Sequence, residues 1–208
     1  ETFFMAAALF VFWCVDKRKG YYLLSVGFVG ILVNQWLKII CRVPRPWVRD
    51  PGFTIVESAR AEAAGYSFPS RHTQTAVGFF GGVARFTGRL WLRIACIVIL
   101  LLVSVSRMYL GVHTPADVGV SFVTAAVLVL VMYPLMESTL WFPNRIYVIL
   151  GVLLGCSLAF VGFMEFFPFP ADIDAGNLAE AVKNAYSMTG AVGGMLVVSV
   201  FDDRLLQF

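Results

Sequence analysis

The chain has 208 residues, 59% of them hydrophobic and only 14% charged, with a mean hydropathy of +0.80. Soluble domains carry about 25% charged and 45–50% apolar residues, so no water-soluble core could hide this much apolar surface and the membrane class is set before any motif is read. The formal net charge of +3 is mild and says little about partners; no nucleic-acid partner is expected.

The sequence opens at Glu1-Thr2 and runs straight into apolar residues, unlike a signal peptide with its basic start; the expectation is a chain that begins partway into a longer protein. A membrane span needs about 20 mostly apolar residues. Phe3 to Val15 is a short first candidate, ended by Asp16-Lys17-Arg18-Lys19-Gly20, and Tyr21 to Ile40 is the second. Cys41 to Pro69 reads as a long polar connection with four prolines, within which Ile55 to Ala64 could form a short interfacial helix. His72 to Phe86 is the third candidate, rich in the small residues that let membrane helices approach closely. Leu92 to Val105, Pro115 to Leu135 and Ile146 to Phe167 are the fourth, fifth and sixth. The seventh runs from about Ala185 to Phe201, with Gly190-xxx-Gly194 read as a helix contact and Asp172, Asp174 and Glu180 before it as a solvated loop.

Only helices or closed barrels satisfy backbone groups in lipid, and these lengths are helical. The expected architecture is an all-α polytopic membrane protein forming one domain over residues 1–208. Its motif-bearing core lies at 38–135, with C-terminal helices at 146–208. Cys14, Cys41, Cys96 and Cys156 are scattered without metal-ligand spacing and read as small hydrophobes in helices. With strict alternation, one face holds Lys17, Arg18, Lys19, Arg85, Arg89, Arg93, Arg145 and Arg204, and the other holds the remaining eight basic residues. The count alone gives no orientation. Several members of the second set sit at span ends beside Ser and His, where chemistry would explain them; discounting these makes the first face cytoplasmic by the positive-inside rule.

Three segments meet at that second face: Lys38-x6-Arg45-Pro46, Pro69-Ser70-Arg71-His72 and Ser106-Arg107-x5-His113-x3-Asp117. Lys38, Arg45 and Arg107 are cations suited to phosphate oxygens. Ser70 and the backbone N–H groups beginning span three add donors at a helix N-terminus. Both histidines of the chain lie in this cluster. His113 and Asp117 are spaced to share one helix face, so the carboxylate can fix the ring tautomer and leave the other nitrogen as a nucleophile. His72 is placed to protonate a leaving oxygen. Each residue alone has a plainer reading: the cations as interfacial snorkelers, either histidine as a satisfied polar group, Asp117 as the cap of a helix beginning Thr114-Pro115-Ala116-Asp117. The joint pattern reverses those odds.

These segments resemble the three signature patterns of the type 2 phosphatidic acid phosphatase superfamily, K-x6-R-P, P-S-G-H and S-R-x5-H-x3-D. Lipid phosphate phosphatases, bacterial undecaprenyl-diphosphate phosphatases, glucose-6-phosphatase and the vanadium haloperoxidases are members. The resemblance implies a six-helix core, here with an extra C-terminal helix, and a cofactor-free, metal-independent mechanism through a phosphohistidine. It implies His113 as nucleophile, Asp117 as its orienting partner and His72 as acid. Lys38, Arg45, Ser70 and Arg107 would hold the phosphate. One position departs from the pattern: Arg71 stands where the family has Gly. Arg71 could point away, add a phosphate-binding cation or crowd the pocket.

The expectation is therefore a membrane hydrolase acting on a lipid phosphomonoester or diphosphate, undecaprenyl diphosphate among the candidates. It would sit in a bacterial cytoplasmic membrane with its site facing outward. The alternatives are a catalytically impaired lipid-phosphate binder or transporter, for which Arg71 is the support, and a phosphotransferase between lipids.

Overall fold

The computed structural model describes residues 2–61, 63–138 and 145–206. Its elements, in chain order, are α1 (Thr2–Cys14), α2 (Lys17–Cys41), α3 (Pro46–Arg49), α4 (Glu57–Arg60), α5 (Arg71–Phe86), α6 (Leu90–Tyr109), α7 (Pro115–Ser138), α8 (Arg145–Phe166) and α9 (Ala175–Phe201), followed by a π-helical turn over Asp202–Leu206. No strand occurs among the described residues. Five helical stretches are long and apolar enough to cross a membrane: Lys17–Arg49, Leu90–Tyr109, Pro115–Met136, Ile146–Phe166 and Ala175–Arg204. The protein is an all-α polytopic membrane protein.

Two of the seven expected spans fall short of that length. α1 has 13 residues and α5 has 16. At 1.5 Å per residue α5 is only about 24 Å long, below the ~30 Å hydrocarbon thickness. It begins with Arg71, His72, Thr73 and Gln74 and is wrapped by other helices, so it needs less apolar length than a lipid-facing span. The expected helix from Ile55 to Ala64 is observed only as α4, with residue 62 outside the described residues.

The chain divides into two compact units, Glu1–Glu137 and Ser138–Phe208. In the first, glycine brings helices close. A Cβ on Gly20 would lie 2.3 Å from the Phe12 Cα, so α1 and α2 cross backbone to backbone. Gly78 and Gly82 of α5 lie against Val26 and Leu23 of α2. Tyr22 Oη donates to the Val129 carbonyl over 2.8 Å, tying α2 to α7. Thr124 Oγ1 donates to Gln74 Oε1 over 2.8 Å, tying α7 to α5. Val77, Leu100 and Ala125 form a core between α5, α6 and α7, while Leu90, Trp91, Ile94 and Ile97 of α6 are exposed, as a lipid-facing surface would be.

The second unit pairs α8 with α9. Asp174 caps α9 by accepting from the Asn177 N–H over 2.6 Å, so α9 starts ten residues before the expected span, and Glu180 lies within the helix rather than in a loop. Side-chain capping outweighs the modest hydropathy of 175–184. The expected contact through Gly190 and Gly194 is not made among the described residues. Both face open space, and it is Gly193 that meets Leu154, at 3.8 Å.

Candidate active site

Four helix ends of the first unit converge, and each has a local reason to stop there. α2 terminates at Arg42, which takes a left-handed conformation (φ 47°) and donates its N–H to the Lys38 carbonyl, leaving Lys38 in the last turn. α5 starts at Arg71 because Ser70 caps it, the hydroxyl accepting from the Thr73 N–H over 3.4 Å. α6 carries Arg107 in its last turn. The turn that follows needs Gly111 at φ +74°, where an added Cβ would also strike the Thr54 carbonyl at 2.6 Å. α7 starts with a reciprocal cap: Thr114 N–H donates to Asp117 Oδ2 (2.8 Å) and Asp117 N–H to Thr114 Oγ1 (3.3 Å). The Ser70 N–H donates to the Asp117 carbonyl over 3.2 Å, joining the start of α5 to the start of α7.

His113 precedes α7 rather than lying in it, so the expected shared helix face is replaced by a capping turn. The pairing survives. His113 Nδ1 is 3.5 Å from Asp117 Oδ2, with both side chains buried. Asp117 thus does what both of its sequence readings ask, capping α7 and facing the imidazole.

On the other side of the ring, Arg45 Nη1 lies 3.1 Å from His113 Nε2. The same guanidinium donates to the carbonyls of Gly65, Ala64 and Val112 at 2.9–3.0 Å. Lys38 Nζ donates to the Tyr66 carbonyl. Arginine has only donors, so the contact at Nε2 requires a lone pair there and puts the ring proton on Nδ1, toward Asp117. Burial pushes the His113 imidazole down to about 4; the Asp117 bond opposes this, and the Arg45 and Lys38 charges reinforce it. At neutral pH the ring is therefore uncharged, with Nε2 bare and aimed at cations.

The remaining expected residues gather around this pair. Arg107, Arg71 and His113 all act electrostatically on His72, and Asp117 and Arg71 on Arg45. All eight residues singled out in the sequence therefore belong to one cluster. Such a cluster can attract a phosphate group and present it with an unprotonated ring nitrogen.

A family model, that of the PAP2 superfamily, matches residues 18–141, more than half of the chain. The chain belongs to the PAP2 superfamily. Among curated proteins it is 32% identical over 119 residues to a lipid A 1-phosphatase of Rhizobium etli, covering 56% of this chain and 49% of that protein. It is 28% identical over 122 residues to an undecaprenyl-diphosphatase of Bacillus subtilis, covering 58% and 60%. It is 27% identical over 140 residues to human sphingosine-1-phosphate phosphatase 2, covering 64% and 34%. The matched stretch thus spans about half the length of the first of these relatives. No solved structure gives a significant match.

The PAP2 motifs left several contributors to the cluster unread. Ser67, fully buried, donates its hydroxyl to Asp117 Oδ2 over 2.6 Å. Asn34, one turn before Lys38, donates to the Pro69 carbonyl over 3.4 Å and so reaches the residue before Ser70. The carbonyls of Ala64, Gly65, Tyr66 and Val112 occupy the cations. None carries a sequence signal, because a serine in Tyr66-Ser67-Phe68 or a backbone oxygen gains its role only from what the fold sets beside it.

Proposed function

We propose that this PAP2 chain is a membrane hydrolase that removes phosphate from a lipid phosphomonoester or diphosphate through a phosphohistidine on His113. The observation that carries the reading is the state of that ring: Nε2 keeps its lone pair at 3.1 Å from a guanidinium, while Nδ1 faces a buried carboxylate. A phosphoryl group arriving at Nε2 takes the place of Arg45 Nη1, and Arg45, Lys38, Arg107 and Ser70 meet its oxygens. Nε2 attacks phosphorus, the N–P bond forms and the ester P–O bond breaks. His72, which takes up a proton as the bound phosphate offsets the Arg107 and Arg71 charges beside it, gives that proton to the leaving oxygen, and Asp117 balances the charge that develops on the imidazole. Water then attacks phosphorus, His72 takes a proton from it, and the N–P bond breaks to release phosphate and free His113. No metal enters any step.

The names of the three relatives support a lipid-borne phosphate. So does the position of the cluster at helix ends, where headgroups lie. In this reading the site opens at the outer face of a bacterial cytoplasmic membrane. Lys17, Arg18, Lys19, Arg85, Arg89 and Arg93 lie at the opposite ends of α2, α5 and α6, which supports that orientation by the positive-inside rule. Arg71 is a further phosphate-binding cation, suited to a second phosphate.

The test is phosphate release from a panel of lipid phosphates and diphosphates in detergent, with EDTA present throughout. The expected outcome is turnover by the unaltered chain and a loss on the order of 10³-fold or more in His113→Ala. Arg71→Gly should depress diphosphate turnover more than monophosphate turnover. Binding without turnover in the unaltered chain, relieved in Arg71→Gly, would instead mark Arg71 as a block and the chain as a lipid-phosphate binder.

A further inference from the structure

The Asp117 carboxylate is closer to a serine than to the histidine it faces. Ser67 Oγ lies 2.6 Å from Asp117 Oδ2, against 3.5 Å from that oxygen to His113 Nδ1. The same hydroxyl is 3.5 Å from Nδ1. Ser67 is fully buried and is held from the backbone, its N–H donating to the Val43 carbonyl over 2.8 Å. Its neighbour Tyr66 accepts from Lys38 Nζ. The backbone that carries the hydroxyl is therefore held by the same short segment that binds two of the cations.

From this geometry we infer that Ser67 is a positioning residue for His113: its hydroxyl donates to Asp117, offers a lone pair to the Nδ1 proton, and so holds the carboxylate and the Nδ1 side of the ring in place. This rests on the proposed phosphohistidine chemistry and adds to it a residue outside the PAP2 motifs.

The chemistry of the hydroxyl explains why one serine suffices. It has one proton and two lone pairs. With Asp117 ionised, the proton goes to Oδ2, because a carboxylate is acceptor-only, and a lone pair is left toward the ring. Only the Nδ1–H tautomer can use it. Thr114 N–H takes another lone pair of Oδ2 at 2.8 Å, so the carboxylate is clamped from two sides. Without the serine it would turn on the Thr114 contact alone. The charged and titratable groups facing the ring are Lys38 from α2, Arg45 from the turn after α2, His72 from α5 and Asp117 from α7. Ser67 is the neutral group among them. Removing its proton donor leaves more of the Asp117 charge to act on the imidazolium, which shifts the ring toward protonation.

Two measurements on the detergent-solubilised chain test this, with Ser67→Ala, Ser67→Cys and Ser67→Thr. Outer groups that orient a reacting imidazole typically matter ~10–100-fold. Ser67→Ala should lose activity in that range in kcat with KM nearly unchanged, and the acid limb of its kcat/KM profile should move to higher pH. Ser67→Cys keeps the volume but is a poor donor, and should behave like Ser67→Ala. Ser67→Thr keeps the hydroxyl and should restore the limb. The second measurement is the ¹⁵N chemical shifts of His113, simplified because the chain has only two histidines. Arg45 at Nε2 should keep the Nδ1–H tautomer in both proteins, while the Nδ1 signal should shift in Ser67→Ala and the pH at which the ring protonates should rise.

An unmoved acid limb, a fully active Ser67→Cys, or an unchanged Nδ1 signal and ring titration in Ser67→Ala overturns the inference, leaving Ser67 as packing. If the unaltered chain hydrolyses no lipid phosphate, the proposed function fails, and the ¹⁵N measurement still decides the role of Ser67.

Discussion

At the residue scale, the proposed chemistry concentrates on the two nitrogens of one ring, whose protonation follows from burial. His113 has its pKa lowered from an ordinary 6.5 to about 4. In the proposed mechanism the nucleophile must be unprotonated, so the acid limb of kcat/KM in the free protein should fall near pH 4, well below the usual histidine range. The same shift carries a stability consequence with a definite sign. Between pH 6.5 and 4 the unfolded chain binds a proton at this position that the folded chain refuses, so this contribution is full above pH 6.5 and is lost as pH falls toward 4. Unfolding in detergent, followed across that window, should show stability falling with pH, and His113→Gln should flatten the slope. A slope unaffected by His113→Gln would mean that the ring is not held neutral by the fold.

Elements pack here through a few backbone approaches rather than through every small-residue pattern. Gly20 and Gly190 make the contrast. A side chain at Gly20 must displace the Phe12 backbone, whereas one at Gly190 meets nothing within 4 Å among the described residues. Gly20→Leu should therefore destabilise the protein by ~1–3 kcal/mol through overpacking, and Gly190→Leu should stay within about 0.5 kcal/mol. Thermal unfolding in one detergent compares them directly. Equal effects would show that small-xxx-small spacing, and not the observed crossing, predicts contact in this chain. The sequence flagged Gly190-xxx-Gly194 and left Gly20 in a loop, because spacing reports what a helix face can do and not which helix lies against it.

For the whole molecule, the decisive property is that α2, α5, α6 and α7 bring their site-bearing ends to one face of the first unit. If that face is outward, a single cysteine at Pro51, exposed in the α3–α4 connection, should be labelled in intact cells by a membrane-impermeant maleimide. A cysteine at Gly88, exposed in the α5–α6 turn at the opposite ends, should be labelled only after permeabilisation. Both belong in a background without Cys14, Cys41, Cys96 and Cys156. The reverse pattern would turn the site toward the cytoplasm and exclude substrates confined to the outer leaflet.

The apolar runs, the cap of α7 and the three motifs were legible in the sequence because each is a local property. Hydropathy marks a span, Thr114-Pro115-Ala116-Asp117 announces a helix start, and two histidines among cations point to the proposed phosphate chemistry. These alone determined the helical membrane class, most helix positions and the eight candidate residues. Tertiary structure decided what those residues do to one another. It set Arg45 against Nε2 and so fixed the ring tautomer, gave Asp117 a capping role beside its facing role, and left Gly190 without a neighbour among the described residues. It also brought Ser67 to Asp117 across fifty residues. The hydrogen bond of a buried hydroxyl depends on position to within a few tenths of an ångström, and no pattern in Tyr66-Ser67-Phe68 encodes that distance; the convergence of two helix starts does.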